Sequence, residues 1–201
     1  MINVLLADDH HIVRGALAAL LDLEPDLTVV AQVDAGDKVV PTARKYRPDV
    51  AVLDVDMPGL DGLAAAAELR AEFPSCRVLI LTGHGKPGHL RRALTAQVSG
   101  FLLKTAPPDE LVAAIRAVAE GRRVLDPSLA LTAWDVTDNP LTPRETDVLR
   151  LAAEGAEAPE IAERLHLTAG TVRNYLTAAV TKLNARNRTD AARIAREAGW
   201  I

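Results

Sequence analysis

The chain of 201 residues is short of three things. It has one cysteine, Cys76, so no internal disulfide is possible. That residue starts an apolar run and reads as a small core side chain. Aromatics make up 3% while hydrophobic residues make up 49%, so any core must come from Leu, Val, Ile and Ala. No apolar run approaches the roughly 18 residues needed to span a bilayer. Met1-Ile2-Asn3-Val4 lacks the basic flank and long apolar core of a secretory signal. A cytoplasmic protein without membrane insertion is expected.

What is present is uneven. The net charge is −4, but residues 168–196 hold Arg173, Lys182, Arg186, Arg188, Arg193 and Arg196 against Asp190 alone. A basic stripe on an acidic protein points to a polyanionic partner for the tail. Up to about Arg123, short apolar runs alternate with amphipathic stretches. The first stretch, with Ile12, Val13, Ala16, Leu17, Leu20 and Leu21, has the i, i+3/i+4 spacing of a buried helical face. Five such βα units predict a flavodoxin-like, doubly wound, five-stranded parallel sheet over residues 1–121. Residues 122–139 are punctuated by Asp126-Pro127 and Asp138-Asn139 and read as a linker, with a short helix over Leu129–Trp134. Residues 140–201 read as four helices, with Thr168 and Thr189 as caps of the last two.

Five polar residues close the apolar runs of the first half: Asp8-Asp9, Asp54, Thr82 and Lys104. In an open parallel sheet, strand ends meet at one edge and bind ligands there. Oxygen ligands suit Mg²⁺, which takes one or two carboxylates with phosphate and water oxygens. Asp8, Asp9 and Asp54, with the Asp56 carbonyl, are the candidate metal ligands. Asp54 is then the candidate phosphoacceptor, with Thr82 and Lys104 on the phosphate oxygens. A small-molecule phosphotransferase using an Asp54 phosphoenzyme fits the same pocket, but no insertion is visible that could form its substrate cap. In the tail, 159–165, a turn and 170–183 read as helix–turn–helix, with Arg173, Asn174 and Thr177 outward for base edges.

Two resemblances follow from the quoted residues. Residues 1–121, through Ala7-Asp8-Asp9-His10, Arg14, Asp54-Val55-Asp56-Met57-Pro58-Gly59, Leu81-Thr82 and Gly100–Lys104, resemble the receiver domain of two-component response regulators. Residues 140–192, through Leu141-Thr142-Pro143-Arg144-Glu145, Thr171–Tyr175, Lys182-Leu183 and Arg188, resemble the LuxR-type domain of NarL/FixJ-family regulators, and Arg173-Asn174-Tyr175 and Glu197-Ala198-Gly199-Trp200 resemble the DesR-like members. The first resemblance implies phosphorylation of Asp54 by a sensor histidine kinase with Mg²⁺ (or Mn²⁺), a switch through Thr82 and Phe101, and control of phosphate lifetime by Asp56 and His84. It also implies a homodimer when phosphorylated. The second implies binding to double-stranded promoter DNA through Arg173, Asn174 and Thr177, with phosphate contacts at Thr171, Lys182 and Arg188. Thr177 departs from the family, where a lysine is common. The expected function is therefore a phosphorylation-switched transcription regulator whose receiver acts only on its own phosphate and is no separate enzyme.

Overall fold

The computed structural model describes residues 1–83, 85, 87–126, 129 and 139–201. The chain forms two compact units, one built on a sheet and one of helices.

The first unit alternates β1 (Ile2–Ala7), α1 (His11–Leu21), β2 (Leu27–Val33), α2 (Val39–Tyr46), β3 (Val50–Leu53), α3 (Gly62–Glu72), β4 (Arg77–Thr82), α4 (Pro87–Thr95), β5 (Gly100–Leu103) and α5 (Pro108–Ala119). All strand pairs are parallel, in the order β2-β1-β3-β4-β5 with a further strand at the β5 edge. Alternate side chains face opposite ways. Leu5, Ala51, Leu53, Val78, Ile80 and Phe101 therefore pack on the α2–α4 side. Val4, Leu6, Val50, Val52, Leu79 and Leu81 pack on the α1/α5 side. The run β3 is buried throughout, as a strand covered on both faces must be.

Three expectations change. The sheet has a sixth strand, β6 (Val124–Leu125), where a linker was expected: Val124 pairs with Gly100 and Leu125 with Phe101. The ladder goes on through Asp126, whose N–H donates to the Phe101 carbonyl at 2.9 Å and whose carboxylate accepts from the Leu103 N–H at 3.2 Å. Leu129 is 3% exposed in the same core, so the first residues of the expected linker belong to the sheet unit. Apart from Leu129, the short helix expected over 129–134 lies outside the described residues.

The second change concerns α1. Only Ala18 and Leu21 are buried, and Ile12 is 85% exposed. Leu17 and Leu20 pack partly buried on the α1/α5 core, whereas Ile12 and Ala16 border an open groove between α1 and α5, so the outer part of the apolar stripe stays at the surface. The third concerns the last helix, which is capped by Asn187 rather than Thr189. The Asn187 side chain accepts from the Asp190 N–H at 2.9 Å.

The described residues of the second unit form four helices, α6 (Pro143–Ala153), α7 (Ala158–Leu165), α8 (Ala169–Lys182) and α9 (Arg188–Glu197). Val148, Leu149, Ile161, Val172, Leu176 and Ala179 supply much of one apolar core. A capping box starts α6, where Thr142 accepts from the Glu145 N–H and Glu145 accepts from the Thr142 N–H. The turn between α7 and α8 depends on His166 in the left-handed region at φ 54°, followed by Thr168 as N-cap of α8.

Candidate functional site

The sheet brings the strand-end residues together. Ala7 is in register with Leu53 and Leu53 with Ile80, so Asp8 and Asp54 leave the sheet side by side where the strand order reverses. The Asp54 N–H donates to the Ala7 carbonyl at 2.8 Å, and the Lys104 N–H donates to the Thr82 carbonyl at 2.8 Å. These bonds extend both ladders one residue past the strands. Backbone packing closes the floor. A Cβ on Gly62 would lie 1.8 Å from the Asp54 carbonyl oxygen, so this position requires glycine.

Lys104 is the centre of the cluster. Its Nζ lies 2.7 Å from Asp8 Oδ2 and 2.8 Å from Asp54 Oδ2. Both carboxylates are 4% exposed, which keeps these attractions largely unscreened. The other Asp54 oxygen accepts from the Val55 N–H at 2.8 Å. Burial pushes the Asp54 carboxyl above the ordinary aspartate value, Lys104 opposes that, and the Asp8 charge adds to it. Burial works against the Lys104 ammonium, but Asp54 and Asp8 together raise its affinity for the proton. Thr82 is fully buried and Phe101 is 2% exposed beneath the same edge.

The residues also fit a metal. Asp8, Asp9, His10 and Asp54 bring ligand atoms within 4.8 Å of one another. His10 Nδ1 sits 2.7 Å from Asp9 Oδ1, and the His10 backbone N–H donates to Asp8 Oδ1 at 2.9 Å. Three carboxylates against one ammonium leave two negative charges, which a hard divalent cation balances. Asp56 is exposed on the loop after β3. His84 lies outside the described residues.

In the helical unit, Arg173, Asn174 and Thr177 are exposed on α8 as expected, and Thr171 is half-buried near its start. The basic stripe is less free than its sequence implies. Lys182 Nζ lies 2.7 Å from Glu145, which is 7% exposed, and Arg188 pairs with Glu157 at 3.0 Å. Arg193 pairs with Asp190 and Glu197, Arg186 lies 3.7 Å from Asp190, and Arg196 donates to the Ala153 carbonyl. Of the six cations, Arg173 and Arg196 make no ion pair among the described residues, and Arg196 is held by a carbonyl instead.

Comparison with known proteins decides the family. The model for the response regulator receiver domain matches residues 4–116, and that for bacterial regulatory proteins of the luxR family matches residues 139–195. The chain belongs to the LuxR-type response regulators. Transcriptional regulatory proteins YvfU and DesR of Bacillus subtilis (strain 168) are 44% and 42% identical to it, each over the full length of both chains. A solved structure of RcsB from Salmonella enterica serovar Typhimurium, bound to a promoter with the phosphomimetic BeF₃⁻, is 28% identical with a TM-score of 0.73, over 98% of each chain. The regulator is thus a DNA-binding transcription regulator of a two-component system. No helix among its described residues is long and apolar enough to cross a membrane.

The contacts of some contributors escaped sequence reasoning, Arg14 of the receiver pattern among them. Arg14 Nη1 donates to the Asp8 carbonyl and so braces the loop that carries two of the acids. Asp61 caps α3 through the Leu63 and Ala64 N–H groups and takes Arg92 of α4 at 2.6 Å. Asp126 has no sequence signal beyond its proline neighbour. Glu145 does, because Thr142-Pro143-Arg144-Glu145 has capping-box spacing, although its pairing with Lys182 has none.

Proposed function

We propose that Asp54 accepts a phosphoryl group from a histidine kinase and that phosphorylated chains dimerise to hold two α8 helices on promoter DNA. The observation that carries this reading is the Lys104 ammonium bridging Asp8 and Asp54 at the strand ends. An Asp54 oxygen attacks phosphorus, the bond from phosphorus to the kinase imidazole breaks, and the imidazole keeps the electron pair. Mg²⁺ bound by Asp8, Asp9, Asp54 and the Asp56 carbonyl would neutralise charge on the transferred group. Lys104 exchanges its carboxylate partner for a phosphate oxygen, and Thr82 offers its hydroxyl to another. Both lie at strand ends joined to Phe101, so added phosphate charge has a path to repack that ring. Asp56 and His84 set the lifetime of the acyl phosphate. The receiver acts on its own phosphate and turns over no external substrate.

A groove of about 440 Å³ supports the kinase as donor. Ile12, Ala16 and Leu20 of α1 line one side and Leu103, Lys104 and Pro108 the other. A partner seated there lies beside the Asp54 pocket, where a phosphohistidine has to arrive.

On DNA, Arg173 has the two donors for a guanine edge and Asn174 the donor–acceptor pair for an adenine edge, Thr177 faces the bases, and Thr171 contacts phosphate at the start of α8. Arg188 can exchange its exposed Glu157 partner for phosphate at small cost. Lys182 is tied to a buried acid, which weakens its claim as a phosphate contact. The reading puts the protein in the cytoplasm with its promoter. Sizing by light scattering with and without phosphoramidate tests it, wild type beside Asp54→Asn. A donor-dependent shift to dimer, lost in Asp54→Asn, is expected; equal behaviour of both proteins would sink the switch.

A further inference from the structure

The outward face of α8 contains two threonines whose hydroxyls are already used. Thr177 Oγ1 donates to the Arg173 carbonyl at 3.0 Å, and Thr181 Oγ1 donates to the Thr177 carbonyl at 3.1 Å. Arg173, Thr177 and Thr181 are spaced i, i+4, i+8, so they share one stripe of the helix, and all three are exposed. A hydroxyl that gives its proton to its own helix cannot also donate it to a base. The rest of an exposed threonine side chain is its methyl group. Thr177 is therefore half apolar where it faces outward, directly one turn after Arg173, the cation of this helix that makes no ion pair among the described residues.

In the major groove only thymine presents a methyl group, and apolar contact with a threonine methyl is one way to read it. We infer that Thr177 is a specificity-determining residue that reads a thymine by methyl contact in the operator, next to the base read by Arg173. This rests on α8 being the recognition helix. A lysine at this position would favour guanine or phosphate; the back-bonded threonine instead makes the half-site depend on one A·T pair and carry less salt-dependent affinity there. Loss of one methyl contact corresponds to about fourfold in affinity, taking the burial value of a single methylene.

The test uses the full-length protein treated with phosphoramidate. Duplexes are enriched from a randomised pool by the wild type, and each thymine of the enriched site is replaced in turn by deoxyuridine, which lacks only the methyl. One replacement should weaken wild-type binding about fourfold. Thr177→Val, which keeps both the shape and a methyl, should show the same loss; Thr177→Ser, which keeps only the hydroxyl, should bind thymine and deoxyuridine equally. Indifference of the wild type to every replacement, or undiminished sensitivity in Thr177→Ser, overturns the inference while leaving DNA binding intact. A pool from which the wild type enriches nothing overturns the recognition-helix assignment, and this inference with it. Circular dichroism of both variants checks that α8 still forms.

Discussion

At the scale of single residues, the pocket is an electrostatic balance. Asp8 and Asp54 are both almost fully buried, and Lys104 is the cation between them. Breaking a buried pair from one side leaves uncompensated charge, which costs about 3–5 kcal/mol. Lys104→Met, with the methylene stem kept and the charge gone, should therefore lower the stability of the sheet unit by about 3 kcal/mol in metal-free buffer. Millimolar Mg²⁺ should restore part of it. Urea titrations with and without Mg²⁺ measure both effects, and a variant as stable as wild type without metal would contradict the charge balance. The identities of Asp8, Asp9, Asp54, Thr82 and Lys104 were legible because each closes an apolar run. Their grouping needed the parallel register. Asp126 was not legible, and Arg14 was legible only as part of the receiver pattern and not by its role, because each acts through backbone groups brought close only by the fold.

At the scale of elements, amphipathic periodicity located the helices but overstated what α1 buries. A helical stripe reports apolar side chains, whereas burial depends on whether the neighbouring element leaves room. Here no described element closes over the outer edge of α1, and Ile12 stays at the surface beside a groove. Charge counting pointed to the right class of partner but overstated how free the cations are, since the acids that pair with Lys182 and Arg188 come from distant segments. The Glu145–Lys182 pair joins the start of α6 to the end of α8. Burial pushes the Glu145 carboxyl up, but Lys182 and Thr142 more than offset this and hold it below the ordinary glutamate value. A depressed carboxyl stabilises the fold above its unfolded pKa, and that stability is lost as pH falls through the folded value. Stability of the helical unit should thus decline on acidification from the ordinary glutamate range downward, and Glu145→Gln should flatten that decline in thermal melts. Lys182→Met should cost about 1–2 kcal/mol, less than a fully buried pair because the lysine is 37% exposed. It should leave the slope of binding against salt unchanged, whereas loss of a true phosphate contact lowers that slope by about one.

At the scale of the whole molecule, two units share one chain, and the segment leaving the sheet is fastened before it becomes a connection. The Asp126 carboxylate holds the Leu103 N–H, one residue before Lys104, so the exit of the connecting segment and the lysine that bridges Asp8 and Asp54 share a strand end. In the proposed reading, the open groove on α1 is the entry for the phosphoryl donor. Ile12→Asp adds charge to that groove without touching the pocket. It should slow phosphotransfer from the kinase at least several-fold and leave phosphorylation by phosphoramidate unchanged, as read on Phos-tag gels. Equal slowing by both donors would place the defect in the pocket instead.

The link between Glu145 and Lys182 limits how this regulator can be re-engineered. Recognition helices are tempting cassettes for grafting between relatives, since their outward residues choose the operator. A transplant over 169–182 that replaces Lys182 leaves a buried carboxylate of the host without its cation. Such a chimera would lose stability in the helical unit and so mimic a failure of base recognition. Grafts that stop at Thr181, or that bring a matching residue for position 145, keep the two problems apart.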